Sequence, residues 1–273
     1  EAKDLINGEL IATGTPAPLR RAEQLILGTV LGDGYLSPLR KLSLSHSTHE
    51  WTEVKVRLLT GFGAVACKPN KDNSLPMYTK PFPYFSWLRE RFYKNGVKTT
   101  DRELVKKIDD FGIAVWFLDD GSTRIRLQNS KRPVSEIATG TLPVEDVSWL
   151  CSLLTDRGYT CKPMPHDRQY HKIQFTVDGS ERLLNAIAKY VPPAMRYKLP
   201  ANSPEYEPLW YEPEKTDTFW SEAIIEEIPV PMQKGKWERF NLLYCIDVAN
   251  THNFVTLGGT VHNCWMSNVM GVI

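Results

Sequence analysis

Two aspartates end two apolar segments of the chain, and each is followed by a glycine. Asp33 closes ILGTVLGDG at 26–34, and Asp120 closes IAVWFLDDG at 113–121. Both segments have the apolar spacing of a buried helix. A carboxylate at the C-terminal end of a helix opposes the helix dipole by about 0.3–1 kcal/mol, so helix stability does not favour it. A divalent cation at the site would reverse this preference, because it prefers carboxylate and backbone oxygens as ligands.

A second group of reactive residues lies near the end of the sequence, in THNFVTLGGTVHNC. The side-chain amide of Asn263 can attack its own carbonyl carbon, which forms a succinimide and breaks the peptide bond to Cys264. His262 can protonate or polarise that peptide, and Cys264 is a thiol nucleophile. His252 is a candidate for proton transfer, although a strand histidine that only bonds to backbone explains it equally well.

The two aspartate-bearing segments begin similar stretches of chain, which indicates an internal repeat. One Asp-Gly pair would be explained as well by a turn after a core helix, but here two pairs are followed by similar strand patterns. RKLSLSHST (40–48) follows the first and TRIRLQ (123–128) the second, and both alternate apolar with polar residues. A further strand is predicted at RQYHKIQFTV (168–177), and further helices at HEWTEVKVRLLTGF, PYFSWLRERFY, LPVEDVSWLCSLLTDRG and SERLLNAIAKYV.

The composition is that of a globular protein with two differently charged parts. Apolar residues make up 42% of the 273 residues and charged residues 24%, which excludes a disordered chain. The net charge of +1 conceals 29 Lys and Arg against 22 Asp and Glu in residues 1–200, and 4 against 10 in residues 201–273. The basic part fits a polyanion partner, and a merely basic soluble domain equally well. No membrane-length apolar run or signal peptide is present, so we expect an intracellular, cytoplasmic protein.

The two aspartate segments resemble the paired signature helices of LAGLIDADG homing endonucleases in their single-chain form. The resemblance extends over residues 18–200 and includes FYKNGVKTT (92–100) and PPAMRYKLP (192–200), which are similar to the lysine-bearing segments that close each half. It implies an α+β fold of two pseudo-symmetric αββαββα repeats with antiparallel saddle sheets. The signature helices would pack side by side, with Gly28 and Gly32 allowing close approach. The second helix has Val115 and Asp119 at the matching positions, so the contact must be asymmetric.

The resemblance also implies the chemistry of the site. Close packing would bring Asp33 and Asp120 together, and two such carboxylates should not both be ionised without a cation between them. We therefore expect Mg²⁺ bound by these two residues and neighbouring carbonyls. Lys98 and Lys198 would lie near the attacking water or the leaving oxygen, although a solvated surface lysine remains an alternative for each.

The strand faces would then contact double-stranded DNA. An antiparallel ribbon can lie in the major groove, where Arg reads guanine and Gln reads adenine, while other residues contact phosphate. Because the two halves differ in sequence, we expect an asymmetric target. Two alternatives remain open, an RNA maturase of the same fold and a catalytically dead DNA-binding protein. The candidate DNA-binding residues are Lys41, Ser43, Ser45, Arg124, Arg126, Gln128, Arg168, Tyr170, Lys172 and Gln174.

The end of the chain resembles a second family. LLYCIDVANTHNFVTLGGTVHNC (242–264) is similar to the C-terminal splicing motifs of inteins, and KDLINGELIATG (3–14) to the end of an N-terminal splicing half. In that family an acid is common at the position of Cys245, whereas here Asp247 lies two residues later, and either residue can assist. The upstream Cys or Ser and the Thr-x-x-His segment that splicing requires are not in this sequence, so we expect a truncated precursor or a split intein.

These resemblances divide the chain into parts. We expect a monomeric endonuclease, without a membrane partner, whose partners are double-stranded DNA, the missing N-terminal splicing half and the host exteins. The expected parts are the end of the N-terminal splicing half (1–17), the endonuclease (18–200, with repeats at about 18–108 and 109–200), a linker (201–219), an all-β Hint-type splicing segment (220–263) and the start of the C-extein (264–273).

Overall fold

The chain forms two compact units in this computed structural model. One unit consists of residues 18–214, and the other combines residues 1–17 with residues 215–273. The first described element of the smaller unit is strand β1 (Leu10–Thr13). The described residues are 10–13, 20–125, 132–140, 142–165, 170–208, 219–229, 242–248, 253–256 and 259–262.

The larger unit contains two repeats of the same order of elements. The first repeat contains α1 (Arg20–Leu31), β2 (Tyr35–Leu36), β3 (Leu42–His46), α2 (His49–Leu58), β4 (Val65–Ala66), β5 (Leu75–Tyr78) and α3 (Pro83–Phe92). A hairpin and a short helix then connect the repeats, namely β6 (Tyr93–Lys94), β7 (Val97–Lys98) and α4 (Arg102–Val105). The second repeat contains α5 (Asp110–Asp120), β8 (Gly121–Ile125), β9 (Pro133–Ala138), α6 (Val144–Asp156), β10 (Cys161–Pro165), β11 (His171–Phe175) and α7 (Val177–Ile187).

Each repeat contains a four-stranded antiparallel sheet with the same strand order. The first sheet has the order β2-β3-β5-β4, and the second has the order β8-β9-β11-β10. In β3, Leu42, Leu44 and His46 are buried while the intervening serines are half-buried. This alternation leaves one face of the sheet available to a partner. The predicted α+β fold with two αββαββα repeats is confirmed.

The two aspartate-bearing helices lie at the centre of the larger unit. Residues 24–32 and 111–119 are buried without interruption, as in helices that are apolar all round and lie in a core. Helix α5 begins at the N-cap residue Asp109, whose side chain accepts hydrogen bonds from the backbone of Phe111 and Gly112. The side-chain amide of Gln24 on α1 bonds to the backbone of Lys107 and Asp109. The start of α5 is therefore fixed to α1.

Residues from both ends of the chain share one sheet in the smaller unit. Its described strands are β1, β12 (Phe219–Pro229), β13 (Leu242–Val248), β14 (Asn253–Thr256) and β15 (Gly259–His262). Strand β1 pairs with β12, and β12 with β13, in antiparallel register, while β14 and β15 form a hairpin. None of the helices in the described part of the chain has the length and apolar character that crossing a bilayer requires.

Candidate active site and nucleic-acid interface

Helices α1 and α5 approach each other closely enough that their ends meet. A β-carbon added to Gly28 would overlap the carbonyl oxygen of Gly112 and lie 2.8 Å from the β-carbon of Val115. A β-carbon added to Gly32 would lie 2.6 Å from the β-carbon of Asp119. Real β-carbons do not approach this closely, so glycine at both positions permits the contact. The close contact places the C-terminal ends of the two helices, with Asp33 and Asp120, side by side.

The carboxyl groups at the helix ends influence one another. Burial, together with the charges of Asp33 and Asp119, raises the pKa of Asp120 to about 7. Partial loss of hydration also raises the pKa of Asp33, although part of this residue is exposed to solvent. The charge of Asp119 raises the Asp33 pKa as well. The carboxyl groups therefore disfavour one another's ionisation, and a bound cation would favour the ionised forms.

Each candidate lysine follows one repeat in the sequence and bonds to the end of the signature helix of that repeat. Lys98 Nζ donates to the carbonyl oxygen of Gly32 at 2.9 Å and to that of Gly34 at 3.4 Å. Lys198 Nζ donates to the carbonyl oxygen of Leu118 at 2.6 Å, with that of Asp119 at 3.4 Å. Burial lowers the pKa of both lysines, whereas the nearby aspartates raise it. Both ammonium groups thus complement the negative ends of the helix dipoles beside the aspartates.

The donor groups at the helix ends fit a divalent cation that takes only part of its ligands from the protein. Among the residues that the structure describes, no group of three His, Cys, Asp or Glu side chains is arranged to hold a metal ion. Mg²⁺ commonly uses one or two carboxylates and completes its shell with water and substrate phosphate oxygens. Asp33 and Asp120 supply such a pair.

The exposed face of the first sheet is rich in aromatic and hydroxyl groups. Ser43 lies between Tyr35 on β2 and Tyr78 on β5, and Val65 on β4 extends the same row. The rings of Tyr35 and Tyr78 are exposed. Lys41 Nζ lies 5.2 Å from the centre of the Tyr78 ring. Ser45, the other candidate in this repeat, bonds through its hydroxyl to Ser74 at 2.8 Å.

The corresponding face of the second sheet is charged. Glu136 on β9 accepts from Arg124 on β8 at 3.1 Å and from Lys172 on β11 at 2.7 Å. Gln174 lies opposite Glu136 on one side and opposite Lys162 on the other, and directly opposed residues share a face. Tyr170, just before β11, is exposed. The two sheets therefore present chemically different faces.

Several candidate residues lie outside the described part of the chain. His262 is described only by its backbone, which pairs with Asn253 in the β14–β15 hairpin. Cys245 and Asp247 lie on β13, opposite Glu226 and Ile224 of β12. The candidates outside the described residues are Arg126, Gln128, Arg168, His252, Asn263 and Cys264.

The comparison with protein families identifies the larger unit. A model of the LAGLIDADG DNA endonuclease family matches residues 23–183. This range contains Asp33, Asp120 and both four-stranded sheets. The chain therefore belongs to the LAGLIDADG DNA endonuclease family, and the resemblance seen in the sequence is confirmed.

Individual relatives match different lengths of the chain. A protein named RecA from Mycolicibacterium chitae is 26% identical over 287 residues, which cover 96% of this chain and 65% of that protein. The RecA of Mycobacterium leprae is 25% identical over 291 residues, which cover 96% of this chain and 39% of that protein. The intron-encoded endonuclease ai4 of Dictyostelium discoideum is 29% identical over 126 residues, 44% of this chain and 74% of that protein. The chain thus spans less than two thirds of the RecA relatives.

One solved structure shares the fold of the larger unit. The homing endonuclease I-WcaI bound to its DNA recognition sequence has a TM-score of 0.60 and 22% sequence identity, over 68% of this chain and 89% of that chain. At this identity the likeness establishes the fold, which agrees with the two αββαββα repeats.

Sequence reasoning missed a buried cluster next to the helix ends. Lys55 and Trp51 on α2 both bond to Asp119, and His46 on β3 is also buried nearby. Burial lowers the pKa of His46, while the charges of Asp119 and Asp33 raise it. Its Nδ1 accepts a hydrogen bond from the backbone of Thr48 at 2.9 Å. A spacing of four residues between Trp51 and Lys55 was the available signal, because it places both side chains on one helix face.

Proposed function

We propose that this chain is a Mg²⁺-dependent, site-specific DNA endonuclease that cuts both strands of an asymmetric target. The observation that carries the proposal is the pairing of Asp33 and Asp120 at the adjoining ends of two packed helices, with a lysine at each end. Membership in a family of DNA endonucleases supports it. The homing endonuclease I-WcaI, which shares the fold, is bound to its recognition sequence.

The arrangement suits hydrolysis of two phosphodiester bonds. In each reaction water adds to phosphorus, one phosphorus–oxygen bond breaks, and the ends carry a hydroxyl and a phosphate. Bound Mg²⁺ would stabilise the developing charge and lower the pKa of water. Asp33 and Asp120 would hold the ions, while Lys98 and Lys198 would hold the helix ends in place and offer positive charge close to the phosphates. The two lysines are fixed by carbonyl oxygens, so their ammonium groups need little reorganisation.

The two sheets would recognise the two halves of the target. The row around Tyr35, Ser43 and Tyr78 favours apolar and hydroxyl contacts with base edges, including thymine methyl groups. The group around Glu136 and Gln174 offers a carboxylate for cytosine and an amide for adenine. A palindromic target presents the same sequence to both sheets, and that sequence could match only one of these different faces. We therefore propose an asymmetric target.

A selection from random DNA tests the proposed activity. The protein is incubated with Mg²⁺ and a library of duplexes that contain a randomised segment, and the cut molecules are sequenced. We expect one non-palindromic motif, cut on both strands, and no enrichment with the Asp33→Asn/Asp120→Asn variant. Enrichment of bound but uncut DNA would instead identify a DNA-binding protein without nuclease activity.

We further propose that the smaller unit performs the C-terminal steps of protein splicing. The RecA relatives align with 96% of this chain, so the likeness reaches far beyond residues 23–183 and includes most of the smaller unit. The pairing of β1 with β12 joins residues from both ends of the chain, as expected if the endonuclease interrupts a single splicing domain. In this proposal His262 assists cyclisation of Asn263, Cys264 accepts the upstream acyl group, His252 relays protons, and a RecA protein is the host.

Release of the last ten residues tests the splicing proposal. Cyclisation of Asn263 would separate residues 264–273 from the rest of the chain, and mass spectrometry would detect both products. We expect Asn263→Ala to prevent the release, whereas the matched change Asn250→Ala should allow it. Equal release from both variants would contradict the proposed role of Asn263.

A further inference from the structure

A buried ion pair joins the two repeats beside the candidate active site. Lys55 Nζ lies 2.6 Å from Asp119 Oδ1 and 2.7 Å from Oδ2, and neither side chain is exposed. Trp51, one turn earlier on α2, donates from Nε1 to Asp119 Oδ1 at 2.7 Å. Lys55 and Trp51 belong to the first repeat and Asp119 to the second. The three side chains therefore form a brace between the repeats.

Stability alone does not explain a charged brace. Two buried charges lose their hydration, and replacing such a pair by apolar side chains is often neutral or stabilising by about 1–4 kcal/mol. The chain itself contains the apolar alternative. Helices α2 and α6 can be aligned on the sequence Leu-Leu-Thr, which occurs at 58–60 and again at 153–155. In this alignment the fully buried Leu150 of the second repeat corresponds to Lys55 of the first. Gly32 stands where the second repeat has Asp119.

The brace lies at the contact between the C-terminal ends of α1 and α5, next to Asp33 and Asp120. Asp119 directly precedes Asp120, and Gly32 directly precedes Asp33. A β-carbon added to Gly32 would lie 2.6 Å from the β-carbon of Asp119 and 2.9 Å from its Oδ2. The Asp119 carboxylate therefore lies against the backbone of α1 and cannot move without changing the contact between the two helices.

We propose that Lys55 and Trp51 are positioning residues for DNA cleavage, which hold Asp119 against Gly32 and thereby fix Asp120 relative to Asp33. Lys55 also forms an ion pair with Asp119 at 2.6 Å, so that Asp33 and Asp120 are the carboxylates left to bind cations. Among the described residues, only the helix end that carries Asp120 has this charged brace. The surroundings of Asp33 and Asp120 therefore differ, and the two strands of the target are cut at unequal rates. This inference rests on the proposed endonuclease function.

The double variant Lys55→Leu/Asp119→Gly tests the role of the brace. It copies the residues that the other repeat has at the aligned positions, and it leaves no unpaired charge in the core. A duplex with a different label on each strand reports the two cutting rates separately. We expect the ratio of these rates to change on the order of tenfold, because small displacements of reacting groups have large effects on rate. The dissociation constant for DNA should not change.

Two further variants separate positioning from general stability. Trp51→Phe removes one hydrogen bond to Asp119 and should shift the strand ratio in the same direction by a smaller factor. Asp146→Asn alters another carboxylate that joins the repeats, since Asp146 Oδ2 accepts from the backbone of Thr100 at 2.8 Å. This contact involves neither helix end, so the strand ratio should stay at the wild-type value.

A second readout does not depend on cleavage. Calorimetric titration of Mn²⁺ into the folded protein bound to target DNA should show weaker binding in Lys55→Leu/Asp119→Gly than in wild type. If the double variant folds and has the wild-type strand ratio and Mn²⁺ affinity, the inference is wrong. If the double variant does not fold, an unchanged strand ratio in Trp51→Phe would overturn the inference. Failure of the wild-type protein to cut either strand would refute the endonuclease function and this inference with it.

Discussion

Gly28 on α1 lies against the backbone of Gly112 on α5, so closely that a β-carbon on Gly28 would overlap the Gly112 carbonyl oxygen. We expect Gly28→Ala to push the two helices apart and to lower the free energy of unfolding by about 1–3 kcal/mol. The displaced helix ends should also slow DNA cleavage. Urea denaturation measures the first effect, and a cleavage assay measures the second.

Gly61 provides the matched control for this substitution. A β-carbon added to Gly61 would meet no atom within 4 Å. Gly61→Ala should therefore change the stability by only a few tenths of a kcal/mol and leave cleavage intact. Equal losses of stability in the two alanine variants would show that the close helix contact is not the cause.

The raised pKa of Asp120 predicts how the stability of the metal-free protein depends on pH. Between about pH 4 and pH 7 the folded protein retains on Asp120 a proton that the unfolded chain has released, since the pKa rises from 3.8 to about 7 on folding. The stability contributed by this group therefore falls as the pH rises through that range. Asp120→Asn should remove this part of the slope, which denaturation at a series of pH values measures. An identical slope in wild type and variant would contradict a raised pKa of Asp120 in the folded protein.

Lys98 should contribute both to stability and to cleavage. Lys98→Met removes the donor that bonds to the carbonyl oxygens of Gly32 and Gly34. We expect the free energy of unfolding to fall by about 1.5–3 kcal/mol, as for other hydrogen bonds to charged groups, and cleavage to fall at least tenfold. Lys94→Met, at an exposed position of the same hairpin, is the control. Comparable losses in both variants would argue against a specific role for Lys98.

Glu136 should restrain the two basic side chains beside it. In Glu136→Gln, Arg124 and Lys172 lose their carboxylate partner and become free to contact phosphates. We expect tighter binding to unrelated DNA and a slope of log K against log salt that is steeper by about 1 for each basic side chain that gains a phosphate contact, or about 2 for both. Discrimination at one base pair should weaken by about 1–3 kcal/mol. Fluorescence anisotropy at several salt concentrations measures both effects.

A matched carboxylate outside the sheets controls for the change in net charge. Glu103 on α4 pairs with Lys106 on the surface, and Glu103→Gln alters the net charge by the same amount. This variant should leave the salt slope and the base preference unchanged. A similar response to both substitutions would mean that net charge, rather than the position of Glu136 on the sheet, governs binding.

The sequence was sufficient to predict the repeated framework. Helical apolar spacing ending in Asp33 and Asp120, followed in each case by an alternating strand, predicted an internal repeat, and the resemblance to the family implied the αββαββα order. Both features are local, so they can be read within windows of ten to twenty residues. The lysines of the closing segments were found from the resemblance to the family, since nothing in the local pattern distinguishes Lys98 from a surface lysine.

The cross-repeat contacts required coordinates. Lys55 and Asp119 are 64 residues apart, and no periodicity within either helix indicates that they pair. Likewise, Glu136 acquires its position between Arg124 and Lys172 only through the register of three strands. The strand that carries Glu136, β9, was not located in the sequence. Long-range register and charge pairing were therefore the features that local reading missed.

Cleavage of a selected target by single aspartate variants tests the central claim most directly. The measurement compares wild type, Asp33→Asn and Asp120→Asn with and without Mg²⁺, with each DNA strand labelled separately. We predict that wild type cuts both strands only with Mg²⁺, and that each variant binds the target with near wild-type affinity but makes no double-strand break. Full double-strand cleavage by Asp120→Asn would contradict the paired-carboxylate mechanism.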